Sequence, residues 1–226
     1  MVQEIPGCYI SKDDLTTRMN ATGLSASEIL QNKLPDTGNV MSGDFGEVLT
    51  LFYLGSERSE VVKNVRKWRF KQDRKKPAPH SDVIVLFREY SDRPSVNDFV
   101  ICAESKAKAT GSPSEPIKNS IMGYESDKTG RLARTLVWLK EKEIDHGDAD
   151  SLGFIKRFTD ELLNVEFSKK YRAVAIIDRD YLDEELVRSL NLPPQNDEFE
   201  IIVLGVQNLK KLYEESFSRA VSEVTP

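Results

Sequence analysis

The chain has 226 residues, with 32 Lys and Arg against 37 Asp and Glu, and a formal net charge of −5. That length suits one large domain with at most a small appendage, and it excludes a chain carrying its own motor domain. Hydrophobic residues at 39% and charged residues at 31% exclude disordered, collagenous and coiled-coil classes, while the acidic balance argues against gripping nucleic acid over the whole surface.

The opening Met1-Val2-Gln3-Glu4-Ile5-Pro6 has neither the basic nor the apolar region of a secretion signal. No run approaches the ~18 apolar residues of a membrane span, so a cytoplasmic protein with no membrane partner is expected. Residues 1–40 read as an accessory segment. Within them Ser25-Ala26-Ser27-Glu28 caps a short helix, which Leu34-Pro35-Asp36-Thr37-Gly38 ends. A stronger helix follows, from Ser42-Gly43-Asp44-Phe45-Gly46-Glu47 through Val48–Leu54 to Gly55. It is apolar nearly all round and is expected to be buried.

Three strands are expected next, over Val65–Lys71, Asp82–Phe87 and Asp98–Glu104, with turns at Pro77-Ala78-Pro79 and Ser91-Asp92-Arg93-Pro94. Their short links favour an antiparallel meander. The chain then reads as helical from Pro116 to Glu143, bent near Gly130, with Ile121, Leu132, Leu136 and Leu139 as core positions. A second helix is expected over Ser151–Asn164, a strand over Tyr171–Asp178, a short helix over Asp183–Leu190, a strand over Phe199–Val206 and a terminal helix over Asn208–Val221. The unbroken apolar runs of the last two strands suggest cover on both faces, giving an α/β fold with a central mixed β-sheet flanked by helices.

The candidate chemistry lies at the end of the third strand, Ala103-Glu104-Ser105-Lys106-Ala107-Lys108. Side chains alternate with period two, so Glu104 and Lys106 share a face, and a hairpin brings Asp82 beside Glu104. Two carboxylates on neighbouring strands are hard oxygen ligands suited to Mg²⁺ or Mn²⁺, and a nearby Lys can orient a nucleophile or stabilise charge on phosphorus. The silent alternative is a surface Glu104–Lys106 pair worth about 0–1 kcal/mol. Neither GxxxxGK[ST] nor GxGxxG follows a strand. Cys8 and Cys102, like His80 and His146, lack zinc or disulfide-scaffold spacing, and mid-strand Cys102 reads as core.

From Lys63 to Lys76 the chain carries eight basic residues against one acid, Asp73. It reads as a solvated edge or as a phosphate grip, with Lys67, Arg69, Lys71 and Lys75 as candidate nucleic-acid contacts. Lys108 continues the Glu104 face, while Arg131 and Arg134 share a face of the long helix; all three are further phosphate candidates. Trp68 reads as core before base stacking, and His80 as a solvated loop residue before a proton carrier. Asp145–Asp150 reads as a polar turn and Asp178-Arg179-Asp180 as structural.

Asp82, Glu104 and Lys106 together resemble the PD-(D/E)xK nuclease superfamily, in which an Asp opens one strand and Glu-x-Lys ends the next; here Ser81 stands before the Asp. The resemblance implies a restriction-endonuclease-like core over residues 41–226. It also implies a metal site of Glu47, Asp82 and Glu104, with Asp44 competing for the role of Glu47, and hydrolysis of DNA phosphodiester bonds. The Gly43–Leu54 helix, Lys67-Trp68-Arg69-Phe70 and Glu104-Ser105-Lys106 are similar to the nuclease subunit of Hachiman-type anti-phage systems, which implies a helicase partner. A nuclease fold without turnover, a sequence-specific restriction endonuclease and an RNA- or nucleotide-hydrolysing enzyme are the alternatives.

Overall fold

Five strands form one open mixed sheet in the computed structural model of the chain, which describes residues 1–56, 61–159, 166–189 and 191–225. They are β1 (Val61–Asn64), β2 (Val83–Arg88), β3 (Phe99–Lys108), β4 (Ser168–Asp178) and β5 (Phe199–Val206), side by side in that order. The first three are antiparallel, with Val83 opposite Ala103, and β3, β4 and β5 run parallel, with Glu104 opposite Ala173. A parallel step needs a long crossover. Here it is α5 (Pro116–Ser126), α6 (Leu132–His146) and α7 (Ala149–Lys156).

Alternation along the strands sends two sets of side chains to two cores. Val83, Val85, Ile101, Ala103 and Ile176 pack with α4 (Asn39–Ser56) and α9 (Leu209–Glu223), whereas Ile84, Val100 and Cys102 pack with Leu132, Leu136 and Leu139 of α6. Helix α4 lies close on the sheet because Gly46 has no side chain; a Cβ there would stand 3.3 Å from Ala107 Cβ and Ile176 Cδ1. The first core also takes Ile5, Cys8 and Tyr9 of α1 (Ile5–Tyr9), Leu15 of α2 (Lys12–Thr22), and Ile29 and Leu30 of α3 (Ala26–Gln31). Ser25 and Glu28 form the expected reciprocal cap of α3. Among the described residues no helix is long and apolar enough to cross a membrane.

Four expectations are revised. The strand expected over Val65–Lys71 is instead β1 at Val61–Asn64, followed by a 3-10 turn, Lys67–Phe70. In a strand the adjacent Lys67 and Trp68 would point to opposite faces; the turn lets both reach Glu47, and that buried contact decides the conformation. Strand β3 runs four residues past Glu104, because Lys106 and Lys108 still pair in register with Ala175 and Ile177 of the buried β4. Strand β5 is the sheet edge and only half buried, unlike β4. The short helix before it, α8 (Arg179–Arg188), starts four residues early, where Asp178 accepts a hydrogen bond from the Asp180 backbone at 3.2 Å.

The long crossover helix does bend near Gly130. A wide turn, Asp127–Arg131, joins α5 to α6, with Gly130 at φ +120°, a left-handed conformation that glycine adopts without steric cost. Residues 160–164 of the helix expected over Ser151–Asn164 lie outside the described residues, as does Leu190.

Candidate active site

Glu104 and Lys106 project from β3 to the face covered by α5 and α6, while Ser105 between them faces α4, its Oγ 3.0 Å from Thr50 Oγ1. Asp82 sits one residue before β2. Its Oδ2 accepts hydrogen bonds from the Ser105 backbone at 3.0 Å and from Lys106 Nζ at 3.1 Å. Lys106 Nζ also contacts Glu104 Oε1, so a single ammonium bridges the two carboxylates. Glu104 is only 4% exposed, whereas the Lys106 side chain is 36% exposed, making the lysine the member of the trio most open to solvent.

The other oxygen of Glu104, Oε2, contacts Arg131 Nη2. Arg131 is held in turn by Asp127, through Nε at 2.7 Å and Nη2 at 2.9 Å, and it donates to the Gly123 carbonyl at 2.9 Å. Asp127 accepts from Ser81 Oγ at 2.6 Å, and Ser81 Oγ lies 2.9 Å from Thr135 Oγ1. A connected polar chain thus runs from α6 through the bend to the carboxylates, with Ser81 and Asp127 both buried. Gly123 of α5 covers Glu104 so closely that a Cβ there would stand 2.2 Å from Glu104 Cδ.

Burial raises the Glu104 carboxyl above its ordinary range and Asp82 adds to this, against Lys106 and Arg131. Burial disfavours the charged Lys106, but Asp82 and Glu104 outweigh it and the ammonium is held above its usual range. Glu47 approaches from α4, on the opposite face of the sheet. Its Oε2 accepts from Trp68 Nε1 at 3.1 Å and pairs with Lys67 Nζ at 3.3 Å. Burial pushes its carboxyl up to about 8, opposed by Lys67 and reinforced by Asp82 and Asp44. Asp44, the competitor for that role, is taken by Tyr9 Oη at 2.9 Å and Lys71 Nζ at 2.7 Å.

The structure therefore gathers Asp82, Glu104 and Lys106, and leaves Glu47 turned to its own partners. Among the described residues, no three His, Cys, Asp or Glu side chains form a ready-made metal cage. Two carboxylates sharing one cation still suit a divalent ion that keeps most of its waters, as Mg²⁺ commonly does.

The basic candidates divide sharply. Lys67 is buried and donates to the Ser81 carbonyl at 2.7 Å, and Lys108 is buried against Glu185 at 2.6 Å. Lys71 is paired with Asp44, and Arg69 donates to the Gly7 carbonyl at 2.8 Å. Lys75 and Arg134 are exposed. Trp68 and Cys102 are core residues, and burial holds the Cys102 thiol well above its usual range. His80 takes φ +69° and packs 4.9 Å from the Trp138 ring, with burial and then Lys67 and Arg134 lowering its pKa. Asp148 caps α7, and Asp178 Oδ2 receives the Leu209 backbone N–H at 2.6 Å, both structural duties.

Sequence reasoning missed Gly123, Asp127 and the link from Arg131 to Glu104. A glycine inside an otherwise helical run is a sign of close approach, and Asp127 with Arg131 has the i,i+4 spacing of a helix pair, so both signals were present. The pairing of Arg131 with Glu104, across 27 residues, had none. Against models of protein families, residues 1–220 match HamA. No curated protein matches the chain.

Proposed function

The chain belongs to the Hachiman-associated HamA family of anti-phage defence components, and on that premise we propose that it is a divalent-metal-dependent nuclease hydrolysing DNA phosphodiester bonds. The observation that carries this reading is the meeting of Asp82 and Glu104 on one lysine, Lys106, at the end of the sheet. A surface pair would need one acid and one base; two desolvated carboxylates around one half-exposed ammonium are a costlier arrangement that suits a cation and an anionic substrate.

Asp82 and Glu104 would hold Mg²⁺ or Mn²⁺, which when bound supplies Lewis-acid polarisation of a phosphate oxygen and a more acidic water. Lys106 turns its ammonium to the attacked phosphate, offsetting charge that develops on the non-bridging oxygens. The Ser105 backbone N–H fixes the Asp82 carboxylate, and Gly123 lets α5 exclude water from Glu104. Glu47 acts behind the site, orienting Lys67 and Trp68, and Lys67 in turn holds the Ser81 carbonyl beside Asp82. Exposed Lys75 and Arg134 are the proposed contacts to the DNA backbone. With a net charge of −5 the chain gains strong DNA engagement from a partner, for which a helicase of the same defence system is the proposal.

The test is incubation of the purified protein with plasmid DNA and Mg²⁺ or Mn²⁺, beside Glu104→Ala and Lys106→Ala variants whose folding is checked by circular dichroism. Metal-dependent cleavage lost in both variants is expected. Metal binding without cleavage, even with the partner added, would favour an interaction subunit with a silent nuclease fold; fragments from one defined site would favour a restriction enzyme.

A further inference from the structure

Resting on the nuclease reading above, we propose that Arg131 is a built-in competitor of the metal: it occupies Glu104 Oε2 in the free protein and must leave before Glu104 can bind a divalent cation. Lys106 and Arg131 bring two positive charges to the two carboxylates Asp82 and Glu104, the same charge that a divalent ion would bring. Lys106 is half exposed and can swing aside. Arg131 is clamped, since Asp127 holds its Nε and Nη2 and the Gly123 carbonyl takes a third hydrogen bond.

An ordinary structural role does not account for the contact with Glu104. Asp127 and the Gly123 carbonyl already anchor the Arg131 guanidinium, and Ser81 Oγ completes the bonding of buried Asp127, so neither partner of that ion pair needs Glu104. The contact instead follows from where the arginine stands. It closes the wide turn Asp127–Arg131, whose Gly130 at φ +120° and Thr129 at ψ +16° leave the helical conformation. Such an irregularity inside a helix can shift without unfolding its neighbours. Any event that moves this turn, including a partner docking on α5 or α6, therefore changes metal occupancy at Glu104 through one guanidinium. Among the described residues Arg131 Nη1 has no hydrogen-bond partner, which leaves a donor to receive a phosphate once the clamp opens.

The experiment is titration of the full chain with Mn²⁺ alone, followed by electron paramagnetic resonance of the free ion. Arg131→Met is expected to bind Mn²⁺ at least tenfold more tightly than the natural chain, and Arg131→Lys, which keeps the charge, to stay within about threefold of it. Because Arg131→Met strands Asp127, the double variant Asp127→Asn/Arg131→Met removes both charges and guards against loss of folding, and it is expected to show the same gain. Structural damage would weaken Mn²⁺ binding, never tighten it. A natural chain that binds Mn²⁺, with equal or weaker binding in the folded double variant, overturns this proposal and leaves the nuclease reading standing. No binding by any of the chains overturns both.

Discussion

The sheet end that holds Asp82 and Glu104 and the cavity beside β1 both gather acids and bases, with opposite outcomes. At the sheet end every carboxylate touches a cation: Asp82 and Glu104 share Lys106, and Glu104 also meets Arg131. The cavity, about 740 Å³, is lined by Lys63, Arg66, Arg69, Glu143, Asp148 and Asp150 among others, yet the Glu143 carboxyl makes no hydrogen bond or ion pair with another described residue. Burial and then Asp148 push its carboxyl up to about 7, against Lys63 and Arg69, which act at a distance. Direct pairing keeps charge in a buried place; charges spread around water do so only in part.

The largest expected effect falls on the paired region. Loss of either end of its bridge, by Glu104→Ala or Lys106→Ala, is expected to cut DNA cleavage on the order of a thousandfold, measured as the rate of supercoiled plasmid loss. Survival of cleavage within tenfold in either folded variant would break the comparison, since the pairing would then be mere surface chemistry. Next comes Lys67→Met. It takes the cation from Glu47, whose carboxyl burial already holds largely protonated at neutral pH, and the donor from the Ser81 carbonyl, and is expected to destabilise the fold by roughly 1–3 kcal/mol, read from denaturant unfolding. Exposed Lys75→Ala, six residues from the 3-10 turn's Arg69, serves as its partner experiment and is expected to change stability by less than about 0.5 kcal/mol.

Gly123→Ala sharpens the same contrast from the packing side. Its methyl must displace Glu104, itself tethered by Lys106 and Arg131, so a rate loss on the order of a hundredfold is expected, with at most about 1–3 kcal/mol of stability. Equal rates in circular-dichroism-matched samples would show that Glu104 can move without consequence.

The unpaired region predicts a pH effect. Glu143 ionises near 7 in the folded chain and near 4.5 when unfolded, so the folded state holds the extra proton between these values. The Glu143 contribution to stability must therefore fall as pH rises from about 4.5 to about 7, then level off, by roughly 1–2 kcal/mol after solvent screening, beside the fall that Glu47, pushed up to about 8, contributes over a wider range. Glu143→Gln should make the slope between pH 5 and 7 shallower by that amount and leave the protein more stable at pH 8. An unchanged slope in urea unfolding across pH 5–8 would mean that Glu143 already has a partner in solution.

Much of the fold was readable in advance because its signals are local. The capped helix at Ser25, the bend at Gly130, the meander and the apolar β4 follow from turn chemistry and from periods of 3.6 and two residues. The strand expected over Val65–Lys71 was misplaced because Trp68 and Phe70 carry strand propensity, which the buried contact of Trp68 and Lys67 with Glu47 overrides. Within the site, Asp82, Glu104 and Lys106 were found from strand alternation and hairpin pairing. The basic stretch was harder: as residue types, Lys67, Lys71 and Lys75 are indistinguishable, yet the first two are tied inward to carboxylates of α4 and the third is exposed.

That division marks what each level decides. The sequence alone settled that an acid and an amine share one face of β3 and that an Asp opens the strand beside it, since backbone alternation holds whatever packs above. Only the tertiary structure decided that Glu47 comes from the opposite face, that Lys67 and Lys71 are interior, and that Arg131 reaches Glu104. The reason is physical: a long flexible side chain is assigned its partner by whichever buried charge most needs one, and burial is a property of the packed elements together.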